Sequence, residues 1–309
     1  MRVVVTGGAG FIGRWVCDAL LRRGDEVVAF DDLSNGSAAN VEEFHGSKAF
    51  QLIRGDVSKS ADVKGGFSGE SDACIHLAAV IEVQRSIDDP RRTYEVNVAG
   101  TANVLEACRR ADARLTIVST CMVYDAAKGN AAIAEQDPVN PASPYAATKL
   151  AADYLGLSYH RAYGLPVTVV RPFNTYGPFQ KANQEGGVVA VFLGRALAGK
   201  TLQVFGDGEQ TRDLMYVDDC VDLIVRASEE KVAGGEVLNG GTGRAVTINE
   251  LARIVAGPKG KVEHVAHPHP QSEIRKLRCD YGKAAKLLGW GPKVSLEDGI
   301  TRLRRSMAR

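Results

Sequence analysis

The chain has 309 residues, enough for one large domain or two moderate ones around a buried core. Its 38 lysines and arginines nearly balance its 37 aspartates and glutamates, so charge gives no argument for a nucleic-acid surface or an acidic solvating tail. No apolar run approaches the roughly 18 residues of a membrane-spanning helix, and the chain opens directly with a strand pattern. We therefore expect a cytoplasmic protein whose partner is a small molecule, without a nucleic-acid or membrane partner.

The six cysteines are scattered, with no CxxC pair and no cysteine–histidine spacing typical of zinc sites. We read them as reduced thiols, and only Cys121 occupies a position of chemical interest. His267 and His269 share one face of an extended segment, but two prolines interrupt it and no third ligand is near in sequence. We therefore predict no metal site.

A glycine-rich turn follows the first predicted strand, residues 2–6. The run from Gly7 to Gly13 satisfies both GxGxxG and GxxGxxG, and after an amphipathic helix to about Arg23 a second strand ends in Asp31. The glycines permit a tight turn and bring a pyrophosphate to the helix N-terminus. Strand, glycines, helix, strand and acid in this order predict a dinucleotide site. Asp31 favours NAD over NADP, because its carboxylate accepts hydrogen bonds from the adenosine ribose and repels a 2′-phosphate.

Strands continue to alternate with helices, over residues 50–57, 72–79, 115–120 and 165–171. We predict a long helix from about residue 89 to 111 that carries Asn97. Asp56 ends a predicted strand where it can meet the adenine. His76 is interpreted as a core histidine. Such alternation predicts a parallel sheet that binds ligands at the carboxyl ends of its strands. The loop from Thr120 to Tyr124 should therefore lie in the cofactor crevice.

Tyr145 and Lys149 lie four residues apart at a predicted helix start. Ser143 is a good N-cap and Pro144 suits the first helical position. Both side chains project from one face, and the helix dipole together with the Lys149 ammonium should favour a tyrosine phenolate that acts as a base. The alternative is an ordinary amphipathic helix with tyrosine in the core and lysine in solvent.

Taken in order, these motifs closely resemble those of the extended short-chain dehydrogenase/reductase family, in particular its nucleotide-sugar epimerase and dehydratase branch. Within that branch the resemblance is to proteins like UDP-glucose 4-epimerase. The matching segments are residues 6–13, 31–36, 55–57, 76–79, 97–101, 119–124, 143–149, 171–178, 206–213 and 288–290. The resemblance implies an α/β fold: a Rossmann doubly wound parallel sheet with a smaller C-terminal α/β substrate lobe. We expect residues 1–172 and about 213–240 to bind NAD, and about 173–212 and 241–309 to bind a nucleotide sugar.

The resemblance also implies roles for the matched residues. Thr120, Tyr145 and Lys149 are the expected catalytic group, joined by Cys121. The expected cofactor-binding residues are Gly7, Gly10, Phe11, Ile12, Gly13, Asp31, Asn35, Asp56, Val57, Leu77, Ala78, Ala79, Asn97, Tyr145, Lys149 and Pro172. The expected substrate-binding residues are Ser86, Thr120, Cys121, Met122, Asn174, Val188, Val204, Arg212 and Arg275. A homodimer is expected through the helices around 90–111 and 143–163.

The sequence departs from the family pattern at two places. Dehydratases and decarboxylases of the family usually carry an acid where this chain has Met122, and dehydratases often carry aspartate at Cys121. Methionine transfers no proton, which favours an epimerase acting at C4′ through a 4-keto sugar. A thiol at Cys121 leaves a 4,6- or 5,6-dehydratase as the alternative, although cysteine more often serves as a small apolar lining residue.

The second departure affects substrate recognition, because the arginine usual before Asp280 has no clean match and Arg275 is the remaining candidate for the diphosphate. For Arg212 the plainer alternative is a salt bridge with Asp213. A redox-sensing regulator that keeps NAD without turnover is the non-enzyme hypothesis, and the intact Thr120, Tyr145 and Lys149 argue against it.

Overall fold

A computed structural model describes residues 1–127, 129, 131–182, 187–258, 260–267 and 270–308. Its strands are β1 Arg2–Thr6, β2 Glu26–Asp31, β3 Phe50–Arg54, β4 Ala73–His76, β5 Arg114–Val118, β6 Val167–Pro172, β7 Asn174–Tyr176, β8 Leu202–Phe205, β9 Thr211–Tyr216, β10 Val237–Gly240, β11 Ala245–Thr247 and β12 Val262–Val265. Its α-helices are α1 Phe11–Arg23, α2 Ser60–Gly66, α3 Val83–Asp88, α4 Pro90–Tyr94, α5 Gly100–Ala111, α6 Pro144–Tyr163, α7 Val188–Leu197, α8 Val217–Glu229, α9 Ile248–Ala256, α10 Gly282–Leu288 and α11 Leu296–Met307.

Seven parallel strands form the central sheet in the order β10-β6-β5-β4-β1-β2-β3. Strands such as β1 and β2 are buried along nearly their whole length because helices cover both faces of the sheet. Chain order reverses between β1 and β4, and a doubly wound sheet opens its ligand crevice at such a switch point. The arrangement confirms the predicted α/β Rossmann fold and places the crevice beyond the ends of β1 and β4.

The helix that carries Tyr145 begins where the sequence predicts. The Ser143 hydroxyl accepts a hydrogen bond from the Ala146 N–H at 3.2 Å, Pro144 occupies the first turn, and the helix ends at Gly164 with φ 71°. A side-chain cap satisfies one of the N–H groups that a helix start leaves without a partner, and glycine adopts the left-handed ending without strain. Local sequence alone therefore fixes where α6 begins and ends.

The predicted long helix near residues 89–111 is interrupted in an informative way. α4 and α5 are joined by one π-helical turn, Glu95–Ala99, so that the three pieces run on as one rod. A single π turn shifts the faces of a helix relative to one another and often lies beside a functional site. Here the turn contains Asn97, whose contacts are described below.

The sequence predicts residues 165–171 as the last clear strand of the main sheet, whereas the structure adds β10 as a seventh strand. β10 pairs in parallel with β6, and Val237 lies opposite Val169. Two small sheets form the rest: β11-β9-β7 has three strands and β12-β8 has two. The division of the chain into a cofactor domain and a substrate lobe at the predicted boundaries stays a prediction.

Buried apolar residues of α7, β8, α9 and α11 continue the core of the central sheet toward the C-terminal part of the chain. A separate apolar cluster joins the turn after β5 to segment 274–279. Over the described ranges, no helix combines the length and apolar character needed to cross a bilayer.

Candidate active site

A cleft of about 200 Å³, partly open to solvent, lies at the carboxyl ends of the central strands. Many of the residues predicted to bind the cofactor line it: Gly7, Gly10, Phe11, Ile12, Gly13, Asp31, Asn35, Val57, Leu77, Ala78 and Ala79. Arg85, Arg92 and the segment 179–181 line the same cleft but were not predicted from the sequence. No spacing pattern marks these residues, because helix α3, helix α4 and the segment after β7 bring them separately to the crevice.

The glycine turn forms a cradle that leaves no room for side chains. A Cβ on Gly13 would lie 2.0 Å from the Gly7 carbonyl oxygen, and a Cβ on Gly7, whose φ is +71°, would lie 2.8 Å from the Ala78 nitrogen. Gly10 caps α1 without any side-chain hydrogen bond. The first N–H groups of α1 therefore face an open, electropositive cradle that suits a diphosphate.

Asp31 is held rigidly at the end of β2. One carboxylate oxygen accepts the Ala9 N–H at 3.0 Å and the other accepts the Leu33 N–H at 2.8 Å. Burial raises the pKa of this carboxyl group, and the two amide hydrogen bonds work in the opposite direction. Each oxygen keeps a lone pair for a further donor, so the residues present fit the adenosine ribose of NAD.

Asp56 and Asn97 have partners within the protein. Asp56 accepts hydrogen bonds from Ser58 and, at 2.8 Å, from Arg92; although burial opposes the effect, these bonds lower its pKa. Asn97 bonds to both backbone groups of Val80 and donates to the Thr148 hydroxyl at 3.0 Å. The π-helical turn thus fixes the loop after β4 to α6, so Asn97 braces the cleft through its neighbours.

The three expected catalytic residues converge at the end of β5. Thr120 caps the 3₁₀ turn Cys121–Val123 through its hydroxyl, and the Thr120 side chain lies close enough to the Tyr145 phenol to act on its pKa. Lys149 donates from Nζ to the Val118 carbonyl oxygen at 2.6 Å. All three residues are at least nine-tenths buried. The alternative that leaves lysine in solvent is therefore wrong.

The expected lowering of the tyrosine pKa is not a property of the chain by itself. Burial raises the pKa of Tyr145 to about 12, against the opposing effect of the nearby Thr120 side chain. Burial also lowers the pKa of Lys149 to about 8, and the Asp153 carboxylate opposes that change. Removal from water disfavours the charged form of both groups, and this outweighs the helix dipole that the sequence suggested.

Cys121 and Met122 occupy the wall beside Thr120. Cys121 is 2% exposed within the apolar cluster that includes Phe173 and Cys279, and Met122 packs against the same cluster. Burial raises the pKa of the Cys121 thiol to about 12. At neutral pH the thiol is therefore protonated and a weak acid, as expected for a lining residue.

The charged residues expected to bind substrate lie on β9 and in the segment after β12. Arg212 forms an ion pair with Glu273 and donates to the Ile274 carbonyl oxygen at 2.9 Å. The Asp213 carboxylate accepts instead from Thr242, from Gly243 and from the Cys279 backbone. The alternative Arg212–Asp213 pair is therefore wrong. Arg275 is largely exposed and pairs with Asp207.

The remaining expected substrate residues differ in accessibility. Asn174 begins β7, and its Oδ1 is a buried oxygen without a hydrogen-bond partner among the described residues. Val188 begins α7 and is half-buried, whereas Ser86 is fully buried with its hydroxyl bonded to the Val83 carbonyl oxygen.

Val204 and Pro172 offer little side-chain surface to a ligand. Val204 is 0% exposed in the core, whereas the next residue, Phe205, is 44% exposed and stacks edge-on against His267. The alternation of side chains along a strand explains this difference, and it would have indicated Phe205 as the accessible residue in place of Val204. Pro172 is the buried last residue of β6.

His267 contacts Glu273, and His269 lies outside the described residues. Within the part of the chain that the structure describes, no three histidine, cysteine, aspartate or glutamate side chains cluster as metal ligands would.

Comparison with known proteins places the chain in a family. The model of the NAD dependent epimerase/dehydratase family matches residues 3–241. The chain belongs to this family. The UDP-glucose 4-epimerase of Mycolicibacterium smegmatis is 40% identical over 306 residues, which span 98% of this chain and 97% of the relative.

Solved structures of similar proteins superpose over the whole chain. Pal from Bacillus thuringiensis is 50% identical with a TM-score of 0.97, covering 100% of this chain and 99% of its own. A double mutant of DesIV, a dTDP-glucose 4,6-dehydratase from Streptomyces venezuelae solved with NAD bound, is 32% identical with a TM-score of 0.93, covering 100% and 97%. These findings confirm the predicted family and its NAD dependence, and both epimerases and dehydratases belong to it.

Proposed function

We propose that this protein is a nucleotide-sugar 4-epimerase whose substrate is an NDP-hexose, specifically a UDP-sugar. The observation that carries the proposal is the convergence of Thr120, Tyr145 and Lys149 beside a wall made of Cys121 and Met122. The first three supply what oxidation at C4′ requires. The last two stand where resembling dehydratases carry acids, and neither is an effective acid at neutral pH.

In this proposal Tyr145 takes the proton of the sugar 4′-hydroxyl, and the Thr120 hydroxyl holds the 4′-oxygen close to the phenol. Lys149 keeps a positive charge next to Tyr145 and holds the nicotinamide ribose through its ammonium. When bound, NAD⁺ supplies the acceptor and later the donor of the C4′ hydride, and its ring adds a positive charge near the tyrosine. After the 4-keto sugar has turned in the pocket, Tyr145 returns its proton to the 4′-oxygen. The apolar Cys121–Met122 wall leaves the keto sugar room to turn without offering it an acid.

The diphosphate of the substrate is assigned to Arg212, with Asn174 and Arg275 beside it. A guanidinium suits phosphate oxygens because its N–H groups form a fixed fork. Arg212 is already engaged by Glu273, so a bound diphosphate competes with that carboxylate. The proposal therefore predicts weaker substrate binding in Arg212→Met and tighter binding in Glu273→Gln, with kcat less affected than KM.

The proposed homodimer uses the helices around residues 90–111 and 143–163. Three tyrosines there keep more than half of their surface exposed: Tyr94, Tyr154 and Tyr163 at 56%, 57% and 60%. Large exposed aromatic side chains are typical of association surfaces. Light scattering should give the mass of a dimer for the wild-type protein and the mass of a monomer for Tyr154→Asp. Val232→Asp changes an exposed residue elsewhere and serves as the control, which should remain a dimer. A monomeric wild-type protein would refute the dimer.

The reaction is tested by incubating the purified protein with UDP-glucose, UDP-N-acetylglucosamine and UDP-glucuronate and analysing the products by mass and chromatography. An unchanged mass with a new sugar supports the epimerase. Loss of water instead supports the alternative, a 4,6- or 5,6-dehydratase that uses Cys121, which is favoured by the position of that thiol next to Thr120. NAD binding without any conversion supports the non-catalytic regulator.

A further inference from the structure

A buried ion pair extends the face of α6 that carries Tyr145 and Lys149. Asp153 follows Lys149 by four residues, one helical turn, and its side chain is completely buried. Its Oδ2 accepts a hydrogen bond from Arg171 Nε at 2.9 Å, and Arg171 lies on β6 with 5% of its side chain exposed. Tyr145, Lys149 and Asp153 thus form a row, and β6 supports its last member.

Arg171 is itself fixed by Tyr124, which is in turn held by Asn239. Its guanidinium lies 4.8 Å from the centre of the Tyr124 ring, and the Tyr124 hydroxyl donates to Asn239 Oδ1 at 2.8 Å. Although burial opposes it, the Asp153 carboxylate raises the pKa of Arg171. The Arg171 guanidinium therefore keeps its charge, and the carboxyl group paired with it lies on the catalytic helix.

The second carboxylate oxygen of Asp153, Oδ1, takes no part in the ion pair with Arg171. Asp153 Oδ1 makes no hydrogen bond of normal geometry to any described residue, and neither does the neighbouring Ser119 Oγ. Burial raises the pKa of the Asp153 carboxyl group, and the Arg171 guanidinium and the nearby Ser119 hydroxyl oppose that rise. Buried ion pairs contribute little to stability compared with apolar residues of the same size, so packing alone gives no reason for a charge at this position.

The surroundings of Lys149 supply one anion to balance its charge. Among the described residues, Asp153 on α6 and His76 on β4 are the titratable groups that interact with the Lys149 ammonium. Tyr145 lies one turn before Lys149 on α6, Cys121 lies in the turn after β5, and Arg171 is paired with Asp153. His76 is neutral, because burial lowers its pKa to about 3. Tyr145 and Cys121 are uncharged at neutral pH in the chain itself, with pKa values of about 12. Asp153 is thus the nearby group whose negative charge opposes desolvation of the ammonium.

We propose that Asp153 is a positioning residue that keeps Lys149 protonated: Arg171 anchors the carboxylate, and the carboxylate holds the ammonium charge that Tyr145 requires. The proposal rests on the proposed function for its catalytic consequence. The charge on Lys149, in contrast, is a property of the folded protein that can be measured without turnover.

The test is the titration of Lys149 in the NAD-loaded protein, followed by NMR of ¹³Cε-labelled lysine and assigned from the signal lost in Lys149→Arg. In Asp153→Asn the Lys149 pKa should fall by about one unit or more, as expected for loss of an adjacent opposite charge. Asp222→Asn serves as the matched control, because it removes the same charge from a half-buried carboxylate on α8 that pairs with both Arg226 and Lys293. Its titration should coincide with that of the wild type.

A second variant guards against misfolding, since Asp153→Asn leaves Arg171 buried without its counterion. The double variant Asp153→Asn with Arg171→Gln removes both charges, and it should still lower the Lys149 pKa because the carboxylate is the nearer end of the pair. An unchanged Lys149 titration in either folded variant overturns the proposal, even if activity is lost, because the pair is then merely structural. If the wild type converts no sugar nucleotide, the proposed function fails while the Lys149 titration still decides this inference.

Discussion

Replacing Lys149 by methionine tests the assignment of Tyr145 as the base. Burial holds the Tyr145 pKa at about 12 in the chain itself, with Lys149 already present. A base for neutral pH needs a value near 8, so about 4 further units of lowering, or about 5 kcal/mol, must come with the bound cofactor and substrate. An ammonium within 4–6 Å lowers the pKa of a phenol by about 1–3 units. Lys149→Met removes that charge, and since loss of a cation disfavours the phenolate, the tyrosine pKa should rise by the same amount.

The assay is the pH dependence of kcat/KM for sugar-nucleotide conversion at saturating NAD, with cofactor occupancy measured separately because Lys149 is also expected to hold the nicotinamide ribose. The acidic limb should move about 1–3 units toward higher pH in Lys149→Met. Tyr145→Phe should lower kcat by about 10²–10⁴-fold and abolish this limb, since it removes only the hydroxyl of a ring that stays packed. An acidic limb that does not move in Lys149→Met would refute the reasoning, as would a Tyr145→Phe variant with full activity.

Three further perturbations test other parts of the site. Gly13→Ala should abolish NAD retention, because the new Cβ would lie 2.0 Å from the Gly7 oxygen. Gly46→Ala is the control, because a Cβ there meets nothing within 4 Å. Equal NAD retention in both variants would contradict the assignment of the glycine turn as the diphosphate site. Cys121→Ser should keep epimerase turnover within about 10-fold, because the thiol only lines the pocket; selective loss of a dehydrated product would instead establish the alternative. His76→Gln should make the free energy of unfolding depend less on pH in the acid range. In the wild type the pKa of His76 is about 3 in the folded state and about 6.5 in the unfolded state, so the free energy of unfolding falls by up to about 1.4 kcal/mol per pH unit below pH 6.5. Chemical unfolding at several pH values measures this loss, and an identical pH dependence in both proteins would contradict a neutral buried histidine.

The local sequence determined those parts of the site that depend on backbone geometry. A turn built from Gly7 to Gly13 between a strand and a helix has few alternatives, because only glycine allows the close approach to the Gly7 oxygen and to Ala78. Ser143 and Pro144 likewise fixed the start of α6, since capping acts within one helical turn. Tyr145 and Lys149 therefore shared a face as predicted.

Other features were decided by contacts between distant segments. β10 is only four residues long, and what makes it a strand is pairing with β6 some 70 residues earlier, as Val237 opposite Val169 shows. Arg212 forms its ion pair with Glu273 and not with the adjacent Asp213, because successive side chains on β9 point to opposite sides. The sequence lists both acids, but only the fold brings one of them to the guanidinium.

The chemistry of the tyrosine shows the same division most clearly. The sequence by itself placed Tyr145 and Lys149 on one helical face, because spacing along a helix is a local property. Only the tertiary structure decided that this face is dry, so that the Tyr145 pKa rises and the Lys149 pKa falls. It also brought Arg171 from β6 to hold Asp153 in place. Desolvation and pairing depend on everything that packs around a group, and no stretch of sequence contains that information.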